Sequence, residues 1–275
     1  MREITLKELL EAGCHFGHQV PRWNPKARSF IYAARDGIHI IDLAKTKEGI
    51  EQAAAFVKTT AAEGRPIIFV GTKRQARGIV GEEAKRVGTA FLVKRWIGGL
   101  LTNWWEIKKN LERLREMRED LFGDKQGKAG QKFTKKEQQI LEKELAKLED
   151  LYGGIAELSD LPGALFLVDI RKEESAVREA TKTGVKVVGI VDTNANPDLI
   201  DFPIPANDDA LGSIKFIVGY LADAFEEGKR LFEKKPVSAP ASGGATAGKE
   251  EKKVEKPKGK KKSTTKKKAK KKEGK

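Results

Sequence analysis

Short apolar runs punctuate the chain at Pro66–Val70, Ala164–Asp169 and Val187–Val191, with a weaker one at Phe91–Val93. Runs this short, without polar alternation, predict strands buried on both faces. Between them, apolar positions recur at helical spacing. Thr46 opens a predicted helix to about Glu63, with Ile50, Ala53, Ala54 and Val57 on one face. Lys73–Val87 is a second helix, terminated by Gly88, and Glu173–Thr183 a third. Asn207-Asp208-Asp209 caps a fourth, running to about Phe232. Near the start, Thr5 caps a short helix through Ala12, and Gly13 ends it. Strands alternating with helices predict an α/β fold. Its expected core is a mainly parallel, doubly wound sheet of about five strands in the flavodoxin-like order 2-1-3-4-5.

Three stretches depart from that rhythm. Residues 15–30, HFGHQVPRWNPKARSF, read as a basic loop because of Gly17, Pro21 and Pro25. Ser29–Ala34 and Gly37–Asp42 then flank an Asp36-Gly37 pair, the signature of a tight hairpin. After Val191, Pro197, Pro203 and Pro205 forbid helix. The longest departure spans residues 104–152. Trp104, Ile107, Leu111, Leu114 and Leu121, then Leu141, Leu145, Leu148 and Tyr152, are spaced by three and four, with Arg118 interrupting. A glycine- and lysine-rich link, 123–134, separates the two arms. This predicts an antiparallel α-helical hairpin with a coiled-coil seam, roughly 25 Å long, inserted between two βα units. The expected organisation is an α/β sandwich of residues 1–103 and 153–233, the hairpin insertion 104–152, and a tail 234–275.

Composition changes this picture mainly at the tail. The chain carries a net charge of +14, but residues 249–275 alone hold 15 lysines and 4 glutamates, a surplus of +11 that leaves +3 for residues 1–248. The tail is too poor in apolar residues to bury a core and is expected to be disordered and to seek polyanions. Cys14 is the single cysteine, which excludes an internal disulfide and fits a reducing compartment. No apolar run reaches the roughly 18 residues needed to span a bilayer, and MREITLKELLEAG has no apolar signal core. The expected location is cytoplasmic.

The candidate chemistry is weighed against simpler roles. Asp42, Asp169 and Asp192 fall at strand ends, where carboxylates could hold Mg²⁺ or cap turns; no nucleophile motif accompanies them. His15 and His18, spaced HxxH, could ligate a metal, but only His39 and Cys14 remain to join them in a zinc site; loop hydrogen bonding, partial burial and RNA backbone contact are the competing roles. The expectation is therefore no metal and no cofactor. Gly71-Thr72-Lys73-Arg74-Gln75 follows a buried strand and opens a helix, which suits an anion, although it lacks the P-loop and dinucleotide fingerprints. Arg22-Trp23-Asn24-Pro25-Lys26 and Arg95-Trp96 each set an aromatic ring beside cations, as RNA contacts do. The competing reading packs both tryptophans in the core and leaves the cations in solvent. The candidate RNA-contact set is Arg22, Trp23, Asn24, Lys26, Arg28, Lys73, Arg74, Arg95 and Asn103, with Lys108 and Lys109 at the hairpin base.

Taken in order, HFGHQVPRWNPKARSFIYAARDGIHIIDLAKT, IIFVGTKRQA, RWIGGLLTN, LPGALFLVDIRKE and VVGIVDTNANPDLIDFPIPANDDA resemble the bacterial small-subunit ribosomal protein number two family, over about residues 3–230. The departures are Ala27, where methionine is common, and Leu100, where threonine is common. The resemblance implies an α/β sandwich with a protruding hairpin, placed on small-subunit rRNA between head and body. It implies neighbouring ribosomal proteins as partners, including the large mRNA-binding protein number one, and no catalysis, membrane or small-molecule substrate. Two alternatives stay open. One is an α/β enzyme acting on a phosphorylated substrate at the crevice between Asp169 and Asp192; the other is a free RNA-binding adaptor working through the tail.

Overall fold

The apolar runs become the central strands of a parallel sheet in the computed structural model, which describes residues 2–122 and 133–234. The strands are β1 (Phe16–Gln19), β2 (Ile31–Arg35), β3 (Ile38–Ile41), β4 (Ile67–Val70), β5 (Ala90–Leu92), β6 (Ala164–Leu167), β7 (Lys186–Val191) and β8 (Phe202–Pro205). The helices are α1 (Leu6–Glu11), α2 (Leu43–Ala62), α3 (Arg77–Val87), α4 (Trp104–Phe122), α5 (Lys135–Tyr152), α6 (Glu174–Thr183) and α7 (Leu211–Lys234). The larger sheet runs β5-β4-β6-β7-β8 with every pairing parallel, which is the order 2-1-3-4-5 when these strands are numbered among themselves.

Burial explains the sequence pattern. Every residue of β4 and β6 is buried. Alternation along β4 sends Ile67 and Phe69 to one face, among α2, α3 and α7, and Ile68 and Val70 to the other, among α6 and the base of α4. Phe69 meets Phe166 edge-to-face with centroids 5.2 Å apart. The fifth strand was not legible, because its sequence, FPIP, contains two residues without an amide hydrogen. At the sheet edge it pairs only with β7, so the missing donors cost little. Helix α2 packs tightly over it: a Cβ on Gly49 would lie 2.7 Å from the Pro203 carbonyl oxygen.

Several boundaries move. Asp42, not Thr46, caps α2, accepting from the Ala44 amide at 3.0 Å. Thr46 lies inside the helix and donates to the Pro205 carbonyl at 2.5 Å. Helix α3 starts at Arg77, four residues later than expected, after a turn over residues 73–76. The loop predicted for 15–30 contains β1 and two 3-10 turns, and β1-β3-β2 form a second, antiparallel sheet. Asp36 and Gly37 both take positive φ, 51° and 78°, as a tight hairpin turn requires.

Helices α4 and α5 lie antiparallel. The Asn110 amide of early α4 meets the Tyr152 hydroxyl at the end of α5, and Leu121 and Phe133 line one small cavity at the opposite end. Leu114, Leu121 and Leu145 form their own apolar cluster with Met117, Leu141 and Leu148. Arg118 does not interrupt the seam; it crosses it to Glu149 at 2.9 Å. Leu111 belongs instead to the sheet core together with Ile107. The linking residues 123–132 and the basic tail lie outside the described residues.

Candidate nucleic-acid interface

The carboxyl ends of β4, β5, β6 and β7 carry the loops in which the candidate residues fall. The segment after β1 is fastened to the same edge. The Asn24 amide donates to the Thr193 carbonyl at 2.7 Å, and the His18 amide to the Thr193 hydroxyl at 2.9 Å. Gly17 permits this approach, since a Cβ there would lie 2.7 Å from Thr193 Cγ2.

At the centre of this edge the charges are satisfied internally. Lys73 Nζ lies 2.6 Å from Asp209, 2.8 Å from Asp208 and 3.5 Å from Asp169. Burial alone would lower its pKa, but these carboxylates outweigh burial and raise it. Burial, then the charges of Asp169 and Asp192, push the Asp208 carboxyl up to about 7, against the pull of Lys73. His18 Nδ1 lies 3.0 Å from Asp192, and that hydrogen bond raises the histidine's pKa despite its partial burial. Lys73, expected to meet a phosphate, is thus an internal counter-ion at 15% side-chain exposure. Asp169 and Asp192 also serve their turns, accepting from the Lys172 amide at 2.9 Å and the Thr193 amide at 2.5 Å. Asp42 caps α2 and takes no part. Ligand atoms of His18, Asp208 and Asp209 lie within 4.8 Å of one another, so a divalent cation could share them, in competition with the Lys73 ammonium.

The rim of the same edge is different. Arg22, Arg28, Arg74, Arg95 and Arg171 are exposed and make no ion pair or side-chain hydrogen bond to the described residues. Every other arginine among the described residues is engaged by a carboxylate or a carbonyl. Arg171 is not in the candidate set; it lies before Lys172, Glu173 and Glu174, with no aromatic beside it to mark it. Lys26 is exposed but held by Asp198 at 2.6 Å. Lys108 is half-buried without a partner among the described residues, whereas Lys109 pairs with Glu106 at 2.7 Å and sits over Trp105. Asn24 caps the turn after it, accepting from the Lys26 amide, and the exposed Asn103 opens α4 through its carbonyl. Trp23 is half-buried with its ring 5.5 Å from that of His39, so it is neither core nor fully free.

Glu179 on α6 was also missed, because nothing in a helical glutamate marks it. It accepts from Trp96 Nε1 at 3.0 Å and from the amides of Gly99, Leu101 and Thr102 at 2.8, 3.1 and 3.3 Å. Partial burial alone would raise its pKa, but these donors hold it below the usual value. The loop from Arg95 to Asn103 is therefore wrapped around a fixed anion, and Arg95 and Asn103 leave its two ends.

A family model described as ribosomal protein S2 matches residues 9–228. The chain belongs to this family. The small ribosomal subunit protein uS2 of Coprothermobacter proteolyticus is 50% identical over 229 residues, covering 83% of this chain and 84% of the relative. That of Microcystis aeruginosa is 48% identical over 230 residues, 84% and 85% of the two chains. The uS2c protein of Rhodomonas salina is 49% identical over 228 residues, 83% and 92%. S2 proteins are structural ribosomal proteins, not enzymes. The enzyme alternative is therefore set aside; of the two aspartates it required, Asp169 faces Lys73 and Asp192 faces His18. Membership of the S2 family places the protein on the cytoplasmic ribosome, in its small subunit. No described helix is long and apolar enough to cross a membrane.

Proposed function

We propose that the protein is a non-catalytic constituent of the small subunit that binds small-subunit rRNA along the carboxyl edge of its parallel sheet. It uses no cofactor and no small-molecule substrate. The observation that carries this is the segregation of unpaired guanidiniums: Arg22, Arg28, Arg74, Arg95 and Arg171 all sit on this edge. Unpaired arginines on a rigid frame fit phosphates in fixed register, which positions a protein on folded RNA. The α4–α5 arm docks through its polar faces on RNA or on a neighbouring ribosomal protein, and the family's association with the large mRNA-binding protein number one supports a protein-facing side as well. The tail, with its surplus of +11, adds affinity for any polyanion but no placement.

The test is incorporation into small subunits depleted of this protein, at physiological salt. Wild-type protein should co-sediment with the subunits. Joint replacement of Arg22, Arg74 and Arg95 by Ala should abolish incorporation while leaving the thermal midpoint unchanged. Normal incorporation of the triple variant would sink the reading.

A further inference from the structure

A cleft of about 480 Å³ opens beside the ends of β6 and β7. Trp23 lines it, with Val177 and Leu199 among its apolar surfaces, and Arg22 and Arg171 line it as well. Neither arginine has a carboxylate partner among the described residues, and the acids nearby are already occupied. Glu174, also in the lining, pairs with Arg178 at 2.6 Å, and Asp198 pairs with Lys26 at 2.6 Å. Asn194 borders the same space, and its side-chain oxygen is buried there without a hydrogen-bond partner among the described residues. A half-buried indole, an apolar lining, an uncommitted amide oxygen and two uncommitted guanidiniums thus converge on one cavity.

We infer that this cleft holds a single unpaired nucleotide of the RNA, its base against Trp23 and its phosphate on Arg22 and Arg171. The inference rests on the rRNA-binding reading above and assigns it a base-reading pocket. A flat ring with a polar edge suits an aromatic wall beside a free amide oxygen, and a phosphate suits paired guanidiniums. A base inside a duplex cannot enter such a cavity, so the nucleotide is extruded or lies in a loop. An acidic peptide would satisfy the arginines but would leave the indole and the amide without a partner of matching shape.

Two measurements test this on the full chain. In the first, AMP, ribose 5-phosphate and inorganic phosphate are titrated while the indole N–H signal of Trp23 is followed by NMR. AMP should shift that signal saturably and bind about tenfold more tightly than ribose 5-phosphate. The Arg22→Ala, Arg171→Ala double variant changes two exposed side chains, so it should fold normally and bind AMP about tenfold more weakly. In the second, ultraviolet cross-linking of reconstituted subunits should join the Trp23 peptide to one nucleotide. AMP binding no better than ribose 5-phosphate, an absent RNA cross-link, or a cross-link from Trp23 to protein would each overturn the inference. Failure here with normal incorporation of wild-type protein leaves the ribosomal reading standing; failure of that incorporation strikes the ribosomal reading itself.

Discussion

Lys73 and Arg74 are adjacent in sequence and follow the same buried strand, yet one lies inside an acidic cluster and the other faces solvent without a partner among the described residues. The two positions represent two regions of one sheet edge. At its centre, carboxylates from the ends of β6, β7 and β8 converge with Lys73 and His18, and both cations find their partners within the fold. Around its rim, guanidiniums from separate loops find no partner among the described residues. Interior cations are committed to holding strand ends together; rim cations have no such commitment among the described residues. A basic residue after a strand therefore carries no functional meaning until its neighbours in space are known.

Removing the interior charge should have the largest effect. Lys73→Met keeps the stem but leaves Asp169 and Asp208 uncompensated in a mostly buried site. It should cost about 3–5 kcal/mol of stability, read as a lowered denaturant midpoint at neutral pH. Arg74→Met should leave that midpoint within about 0.5 kcal/mol of wild type. Equal losses at the two positions would erase the distinction between centre and rim.

The interior cluster should also give stability a pH dependence that the rim lacks. The Asp208 carboxyl is raised from 3.8 to about 7 in the folded state, so the folded state binds more protons than the unfolded state between those values. Its favourable contribution is complete below the unfolded pKa and is lost as pH rises towards 7. His18, also raised, adds a loss of the same sign as pH climbs past its ordinary value of 6.5. Asp208→Asn should flatten the stability–pH curve through this window, removing a slope of at most ~1.4 kcal/mol per pH unit. An unchanged curve would mean that the carboxyl titrates alike folded and unfolded.

How much of this was legible beforehand depends on which force decides each element. Strands β4, β6 and β7 and their order followed from apolar runs and alternation, because burial on both faces dictates composition. Strand β8 escaped because prolines hide a strand wherever an edge tolerates missing donors. Leu111 shared the hairpin's spacing with Leu114, but the cluster to which each belongs is set by where α4 leaves the sheet, and periodicity does not encode that. The candidate cations were found by composition and sorted only by geometry. Among the described residues Arg22, Arg28, Arg74 and Arg95 have no partner, Lys73 does, and Arg171 joins the arginines from the loop after β6. The closest acids that claim Lys73, Asp208 and Asp209, lie some 135 residues further along the chain, beyond the reach of any local pattern.

On the rim, the same logic ranks the arginines by salt dependence. If Arg74 and Arg95 each neutralise one phosphate, replacing both by Ala should reduce the slope of log affinity against log salt by roughly 1.4–1.8 for structured rRNA. Stability should not change. An unaltered slope would place the RNA elsewhere.

The smallest effect separates two exposed cations of one turn. Lys26 is held by Asp198 at 2.6 Å, with side-chain exposures of 55% and 58%, while Arg28 has no partner among the described residues. An ion pair that open to solvent contributes little, so Lys26→Ala should shift stability by no more than ~0.5 kcal/mol. Its charge is already answered by Asp198, so binding RNA through it would first require giving up that contact. Arg28→Ala should leave stability equally unaffected yet reduce the salt slope by about 0.7–0.9, whereas Lys26→Ala should reduce it by less. The two single variants, compared in one salt series against protein-depleted subunits, measure what an existing surface partner subtracts from an RNA contact. Equal slopes would show that Asp198 releases Lys26 freely on binding, and that an exposed pair in the free protein is no guide to which cations meet phosphate.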